Sequence, residues 1–164
     1  MKILKSILFI LLLVSFGYSA NNQITIKTID GKKLTIQKEK KGLKFLDFKD
    51  KVVLLEFYGD SCPHCLSAID SYNKLQQKYK DKVAVVALEL YGRLNNAHKQ
   101  KYITVSKKES LKVLKPIKKL TGYSGGIVPY LIILDKNGEI KYHQVLPDMN
   151  DVEKLIILLN KSSL

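Results

Sequence analysis

The sequence predicts an α/β fold of three layers, with a mixed β-sheet covered by helices on both faces. Three observations carry this. The runs VVLLEFY at 52–58 and KVAVVALEL at 82–90 are almost wholly apolar, as strands buried on both faces must be. Between them lies a stretch of helical periodicity, with Leu66, Ile69, Tyr72, Gln76 and Tyr79 near one face, so the three form a β–α–β unit. A third apolar run, PYLIILD at 129–135, is followed by a turn at Asn137-Gly138 and a further strand, which makes one edge of the sheet antiparallel.

The elements follow in order. Residues 1–20, MKILKSILFILLLVSFGYSA, have the form of an export leader: Lys2 and Lys5, an apolar core from Ile7 to Phe16, then small residues at Gly17, Ser19 and Ala20. The core is about half of the ~20 residues that a spanning helix needs, so a cleaved leader is expected rather than an anchor; left uncleaved it would tether the protein. That leaves 21–164 as a single domain exported to the periplasm or an equivalent compartment. ITIKTIDGKKLTIQ alternates about Asp30-Gly31 and predicts a β-hairpin. GLKFLDFKDK is expected to connect it to the first central strand, with Phe45, Leu46 and Phe48 over the core. After the second strand, LNNAHKQ is expected to form a short helix, YITVS a short strand, and SLKVLK a helical piece that Pro116 ends or kinks. MNDVEKLIILLNK closes the chain as an amphipathic helix burying Val152, Leu155, Ile156 and Leu159.

The formal net charge is +13, and +11 without the two leader lysines. Acidic partners or anionic headgroups would be attracted to such a chain. Nucleic acid is not expected as a partner, because the charge comes from 27 lysines and one arginine, and base readout and bidentate phosphate contacts favour the planar guanidinium.

The chemistry is concentrated in LLEFYGDSCPHCLSAI, 54–69, which holds both cysteines of the chain. Cys62 falls where the first central strand turns into the helix, and unpaired N–H groups and the helix dipole there favour thiolate over thiol. His64, in the same turn, acts in the same direction if it is protonated or hydrogen-bonded to the sulfur. Pro63 suits the first helical position, where no N–H is wanted. Cys65 lies one turn further in, within disulfide reach and screened from solvent. Cys62 is therefore the expected nucleophile and Cys65 the resolving thiol. Glu56 is an acid inside a buried strand, which is costly unless the group has a use. Placed beneath the pair, it is the expected proton acceptor for Cys65.

Rival readings of the pair fare worse. Zinc needs four ligands, and only His64, His98 and His143 could complete them, at no recognisable spacing. Haem attachment needs CxxCH, and position 66 is Leu66. A structural disulfide across four residues closes too short a loop to stabilise much. No metal or other cofactor is expected.

With VVLLEFY, CPHC and GGIVPYLIILDKNGEI in hand, the chain resembles the thioredoxin-fold thiol–disulfide oxidoreductases. The resemblance implies a thioredoxin-like sandwich with a cis-proline at Pro129. Val128 and Pro129 would then form the platform on which an extended substrate backbone pairs. The body is similar to the TlpA/ResA-like branch, in its N-terminal hairpin, its KDKVVLLEF lead-in and its α/β insertion at about 91–122 before the cis-proline. That branch implies a disulfide reductase, for example in cytochrome c maturation. The CPHC dipeptide and the acid at Glu56 instead resemble DsbA, the periplasmic dithiol oxidase. The chain departs from the family in having Ser61 where a tryptophan is usual, and Ala68 where ResA-like reductases carry a glutamate. A histidine that stabilises the Cys62 thiolate stabilises the reduced pair and makes its disulfide more oxidising. On that ground the sequence leans to a dithiol oxidase, with reductase as the alternative. A metal-carrying or binding module of the same fold is a third reading. The expected partners are cysteine-containing proteins and a membrane redox partner, either an oxidase or a donor of reductant.

Overall fold

The computed structural model describes residues 22–161, so the expected leader lies outside the described part. Strands β1 (Gln23–Lys27), β2 (Lys33–Glu39) and β3 (Gly42–Phe45) form one antiparallel sheet in that order. The hairpin turns at Gly31, whose φ of 90° suits a residue without Cβ. The expected connector is in part a strand, because β3 finds an edge to pair with on β2, with Ile36 opposite Phe45. Gly42 allows it to sit close against the turn at Asn137-Gly138: a Cβ there would stand 1.9 Å from the Gly138 carbonyl oxygen.

The main sheet contains β4 (Val52–Tyr58), β5 (Val83–Glu89), β6 (Ile103–Val105), β7 (Tyr130–Leu134) and β8 (Ile140–Val145). Its order is β6-β5-β4-β7-β8, with β4, β5 and β6 parallel and β7 and β8 antiparallel to their neighbours. Every residue of β4, β5 and β7 is buried, as their unbroken apolar runs require. The first sheet joins the edge of the second through Thr28, which bridges Val105, and through Ile29 N–H to the Thr104 carbonyl at 3.0 Å.

Helices α1 (Pro63–Lys78) and α3 (Met149–Lys161) cover one face, and α2 (Lys107–Thr121) together with the first sheet covers the other. Alternation along β4 divides the core between them. Val53, Leu55 and Phe57 pack with Val113 and Ile117 of α2, whereas Val52 and Leu54 pack with Tyr72, Leu75, Val152 and Ile156. Each fully buried leucine or valine here contributes roughly 1.5–3 kcal/mol. In α3, Val152 and Ile156 are buried and Leu155 and Leu159 half-buried against them. LNNAHKQ contributes a single 3₁₀ turn, Ala97–Lys99.

Pro116 does not end α2. The helix continues to Thr121 and stops at Gly122, whose φ is 79° and whose N–H donates to the Lys118 carbonyl at 3.0 Å. Val113 and Ile117, both fully buried, anchor the helix on either side of the proline. Their burial offsets the one backbone hydrogen bond the ring removes.

Candidate active site

The site is assembled where β4 ends. Gly59 to Ser61 turn the chain, with the Cys62 N–H donating to the Gly59 carbonyl at 2.9 Å, and Cys62 becomes the N-cap of α1 with Pro63 as its first residue. As a cap, the Cys62 side chain accepts the Cys65 N–H, at 3.2 Å. The first sulfur is thereby held over the turn that carries the second. Both cysteines are free thiols; Cys62 is half-buried and Cys65 only 2% exposed.

Opposite them lies the loop before β7. The Val128–Pro129 peptide is cis, and the Cys62 Sγ–H donates to the Val128 carbonyl at 3.6 Å. The Pro129 carbonyl accepts the N–H of Leu146, which fixes this loop to the end of β8. A groove of about 300 Å³ runs beside the pair, lined in part by His64, Ala68, Pro129, Leu146 and Met149. His64 itself is exposed. The Cys62 sulfur is engaged by the Cys65 N–H and the Val128 carbonyl, and no hydrogen bond among the described residues joins it to the imidazole.

Glu56 lies under Cys65, on the face of β4 that α1 covers. It is 1% exposed, and burial pushes its carboxyl up to about 8. Its Oε1 meets no protein hydrogen-bond partner among the described residues. Burial also raises the Cys65 thiol, and the neighbouring Cys62 and Glu56 add to the rise. Such a thiol gives up its proton only to a close acceptor. Cys65 packs directly against Tyr58 and Ala87, with Cys62, Tyr102 and Val128 at the margin of that cluster.

Two further carboxylates shape the surroundings. Asp60, 3% exposed, accepts the backbone N–H groups of Asn95 and Asn96, each at 2.9 Å. Glu89, fully buried, accepts those of Tyr91 and Gly92. Together they fasten the 91–96 loop beside the cysteine turn. Neither stood out in the sequence; the available signal was an acid at the C-terminal end of β5 and one just beyond that of β4, where unpaired loop N–H groups collect. The other histidines have separate duties. His98 Nδ1 lies 2.9 Å from the Asn95 carbonyl, and His143 Nδ1 2.9 Å from the Tyr130 hydroxyl. Among the described residues no cluster of three or more His, Cys, Asp or Glu side chains is placed to hold a metal ion.

Comparison with known proteins agrees with this arrangement. The Redoxin family model matches residues 21–156. The chain is 31% identical over 128 residues to the thiol-disulfide oxidoreductase ResA of Bacillus cereus, covering 77% of this chain and 68% of that one. It is 38% identical over 64 residues to the thioredoxin-like protein YneN of Bacillus subtilis, a match that spans 39% of this chain and only 32% of YneN. Among solved structures, a thioredoxin-family thiol:disulfide interchange protein of Chlorobium tepidum superposes with a TM-score of 0.66 at 17% identity, covering 85% of this chain and 94% of that one. The fold is thioredoxin-like.

Proposed function

The chain belongs to the Redoxin family, and on that premise we propose that it is an exported thiol–disulfide oxidoreductase that reduces disulfides in protein substrates through Cys62 and Cys65. One observation carries the reading: two free thiols at the head of α1, the first half-buried with its sulfur capping the helix, the second buried one turn below it. That asymmetry gives the two sulfurs different tasks.

In the reducing direction Cys62 releases its thiol proton to solvent, and the thiolate sulfur attacks one sulfur of a substrate disulfide. A Cys62–substrate disulfide forms, and the other substrate sulfur leaves as a thiolate, which takes a proton from solvent. Glu56, which burial holds protonated, first releases its own proton; the carboxylate so formed takes the proton of Cys65, and the Cys65 thiolate attacks Cys62 Sγ. The Cys62–Cys65 bond forms, the second substrate thiolate departs, and two electrons have moved from the pair to the substrate. Val128 and Pro129 serve as the platform for the substrate backbone, and Pro63 holds the turn open at the helix start. A reductant, supplied by a membrane partner carrying its own dithiol, returns the pair to thiols.

The direction is the point on which the reading departs from the sequence expectation of an oxidase. That expectation rested on His64 stabilising the Cys62 sulfur, and the sulfur's hydrogen bonds go to Cys65 and Val128 instead. Similarity to ResA extends over most of the chain and favours the reductase alternative. Engagement of His98 with the Asn95 carbonyl and of His143 with the Tyr130 hydroxyl counts against their joining the cysteines in a metal carrier. Trapping cellular thiols with an alkylating reagent tests the direction. The pair is expected as free thiols, and a pool found mostly as the Cys62–Cys65 disulfide overturns the reductase reading.

A further inference from the structure

A row of side chains crosses the main sheet on the face beneath α1. Glu56 of β4 is paired with Ala87 of β5, and Ala87 with Thr104 of β6. Neighbours in register share a face, so Glu56 and Thr104 flank Ala87 at about 4.8 Å per strand, with only a methyl group between them. On the same face β5 otherwise presents Val83 and Val85 before Glu89, so the small residue at 87 leaves room that its neighbours on that face do not.

Polar groups collect in that room. Tyr58 comes from β4, Tyr72 from α1 and Tyr102 from the approach to β6, and the rings of Tyr72 and Tyr102 meet edge-on at 6.0 Å. Glu56 acts electrostatically on all three phenols and on Cys65. Gln100 lies beside the Tyr58 hydroxyl, and its Oε1 accepts from the Thr104 hydroxyl. Five side-chain atoms here are buried without a protein hydrogen-bond partner among the described residues: Glu56 Oε1, the hydroxyls of Tyr58, Tyr72 and Tyr102, and Gln100 Nε2. An isolated unpaired atom is tolerable, but five together require water to complete them. Buried water characteristically binds at such polar clusters, making two to four bonds. The far end of the cluster is accessible, since Gln100, Tyr102 and Thr104 also line a surface groove of about 510 Å³ with Gln76 and Lys101.

We propose that this hydrated row is a proton track, which carries the proton of Cys65 from Glu56 past the hydroxyls of Tyr58 and Tyr102 to the Gln100–Thr104 edge of the sheet. It rests on the reading of Glu56 as the acceptor and supplies what that reading lacks, an exit for a proton on a group with 1% exposure. The step balances. Glu56 hands its proton to the adjoining water, the carboxylate so formed takes H⁺ from Cys65, and one proton leaves at the groove for each Cys62–Cys65 bond formed, the Cys62 proton having gone directly to solvent. In the opposite direction the same track reprotonates Cys65. The titratable groups facing Glu56 are Tyr58 from its own strand, Cys65 and Tyr72 from α1, and Tyr102; Asp60 and Glu89 act on Tyr58 and have no part in the Glu56 shift. No lysine is among them, so the track works by relay through neutral groups. Tyr58, Tyr102, Gln100 and Thr104 are thereby positioning residues, acting through Glu56 and water.

The test follows hydrogen–deuterium exchange of the Glu56 carboxylic acid by its infrared carbonyl band, after the reduced full chain is mixed into D₂O, with Glu56→Gln to assign the band. Wild type is expected to exchange within the mixing time. Tyr102→Phe combined with Thr104→Val keeps the shape of both side chains and is expected to slow exchange at least tenfold. Ala87→Val leaves every hydroxyl in place but fills the space between, and is expected to slow it similarly. Exchange as fast as wild type in both variants overturns the track while leaving Glu56 as a protonated buried acid. Absence from wild type of any band that Glu56→Gln removes overturns the Glu56 reading itself, and the track with it.

Discussion

The sulfur of Cys62 lies 3.6 Å from the carbonyl oxygen of Val128, a residue 66 positions away in the chain. This contact joins the head of α1 to the loop that precedes β7. It sets the reactive atom beside the half-buried Val128 and the buried Pro129, the two residues proposed above as the substrate platform. Ile127, 63% exposed, continues the same lip as an apolar edge. A substrate cysteine placed along that edge would reach Cys62 before it could reach Cys65.

Cys65→Ser should therefore accumulate mixed disulfides through Cys62, because the resolving sulfur is gone and the attacking one remains. Non-reducing gels followed by peptide mass analysis of the captured partners are the check. Cys62→Ser is expected to capture none, since the buried thiol at 65 is screened from large substrates.

Glu56 should make stability fall with rising pH. Its ordinary value is 4.5 and its folded value about 8, so between these the unfolded chain has released a proton that the folded chain still holds. The stabilising effect is complete below the lower value and lost progressively up to the upper one, with about 3 kcal/mol of it gone by pH 7. Glu56→Gln is expected to flatten this part of the profile and to exceed wild type in stability near pH 8. Urea denaturation at a series of pH values measures both, and a wild-type profile already flat between these limits would contradict the assignment.

Gly42→Ala should destabilise the fold by more than about 2 kcal/mol, because the new methyl meets backbone rather than a side chain that can swing away. The contact it breaks is the seam between β3 and the turn at Gly138, where Leu43 N–H donates to the Gly138 carbonyl at 2.8 Å. Thermal unfolding of the variant beside wild type is sufficient to read this.

Asp60→Ala removes a buried carboxylate that accepts two backbone N–H groups of the 91–96 loop, and the loss is expected at about 1–3 kcal/mol. Amide exchange should rise first at Asn95 and Asn96, with α3 little affected. Uniform loosening of the whole domain would show instead that the acid supports the core at large.

Much of this was legible in the sequence because it rests on local pattern. VVLLEFY, KVAVVALEL and PYLIILD declared β4, β5 and β7 by apolar runs that only double burial explains. Glu56 declared itself by interrupting one of them. CPHC after a strand placed the thiols at a helix start. Other features depend on partners distant in sequence. GLKF becomes a strand because β2 offers an edge and Gly42 fits against Gly138. The helix passes through Pro116 because Val113 and Ile117 have a core to enter. Each tyrosine of the proton track reads alone as an ordinary half-apolar core residue. Their meaning comes from Ala87, whose smallness matters only once Glu56 and Thr104 stand on either side of it.

The most direct measurement mixes the reduced protein in a single turnover with an equimolar polypeptide disulfide and counts thiols on both sides. The account requires one substrate disulfide opened per molecule, one Cys62–Cys65 bond formed, and no reaction when serine replaces Cys62. Inertness of the wild-type chain toward that disulfide, or undiminished reaction in the Cys62→Ser variant, would contradict it.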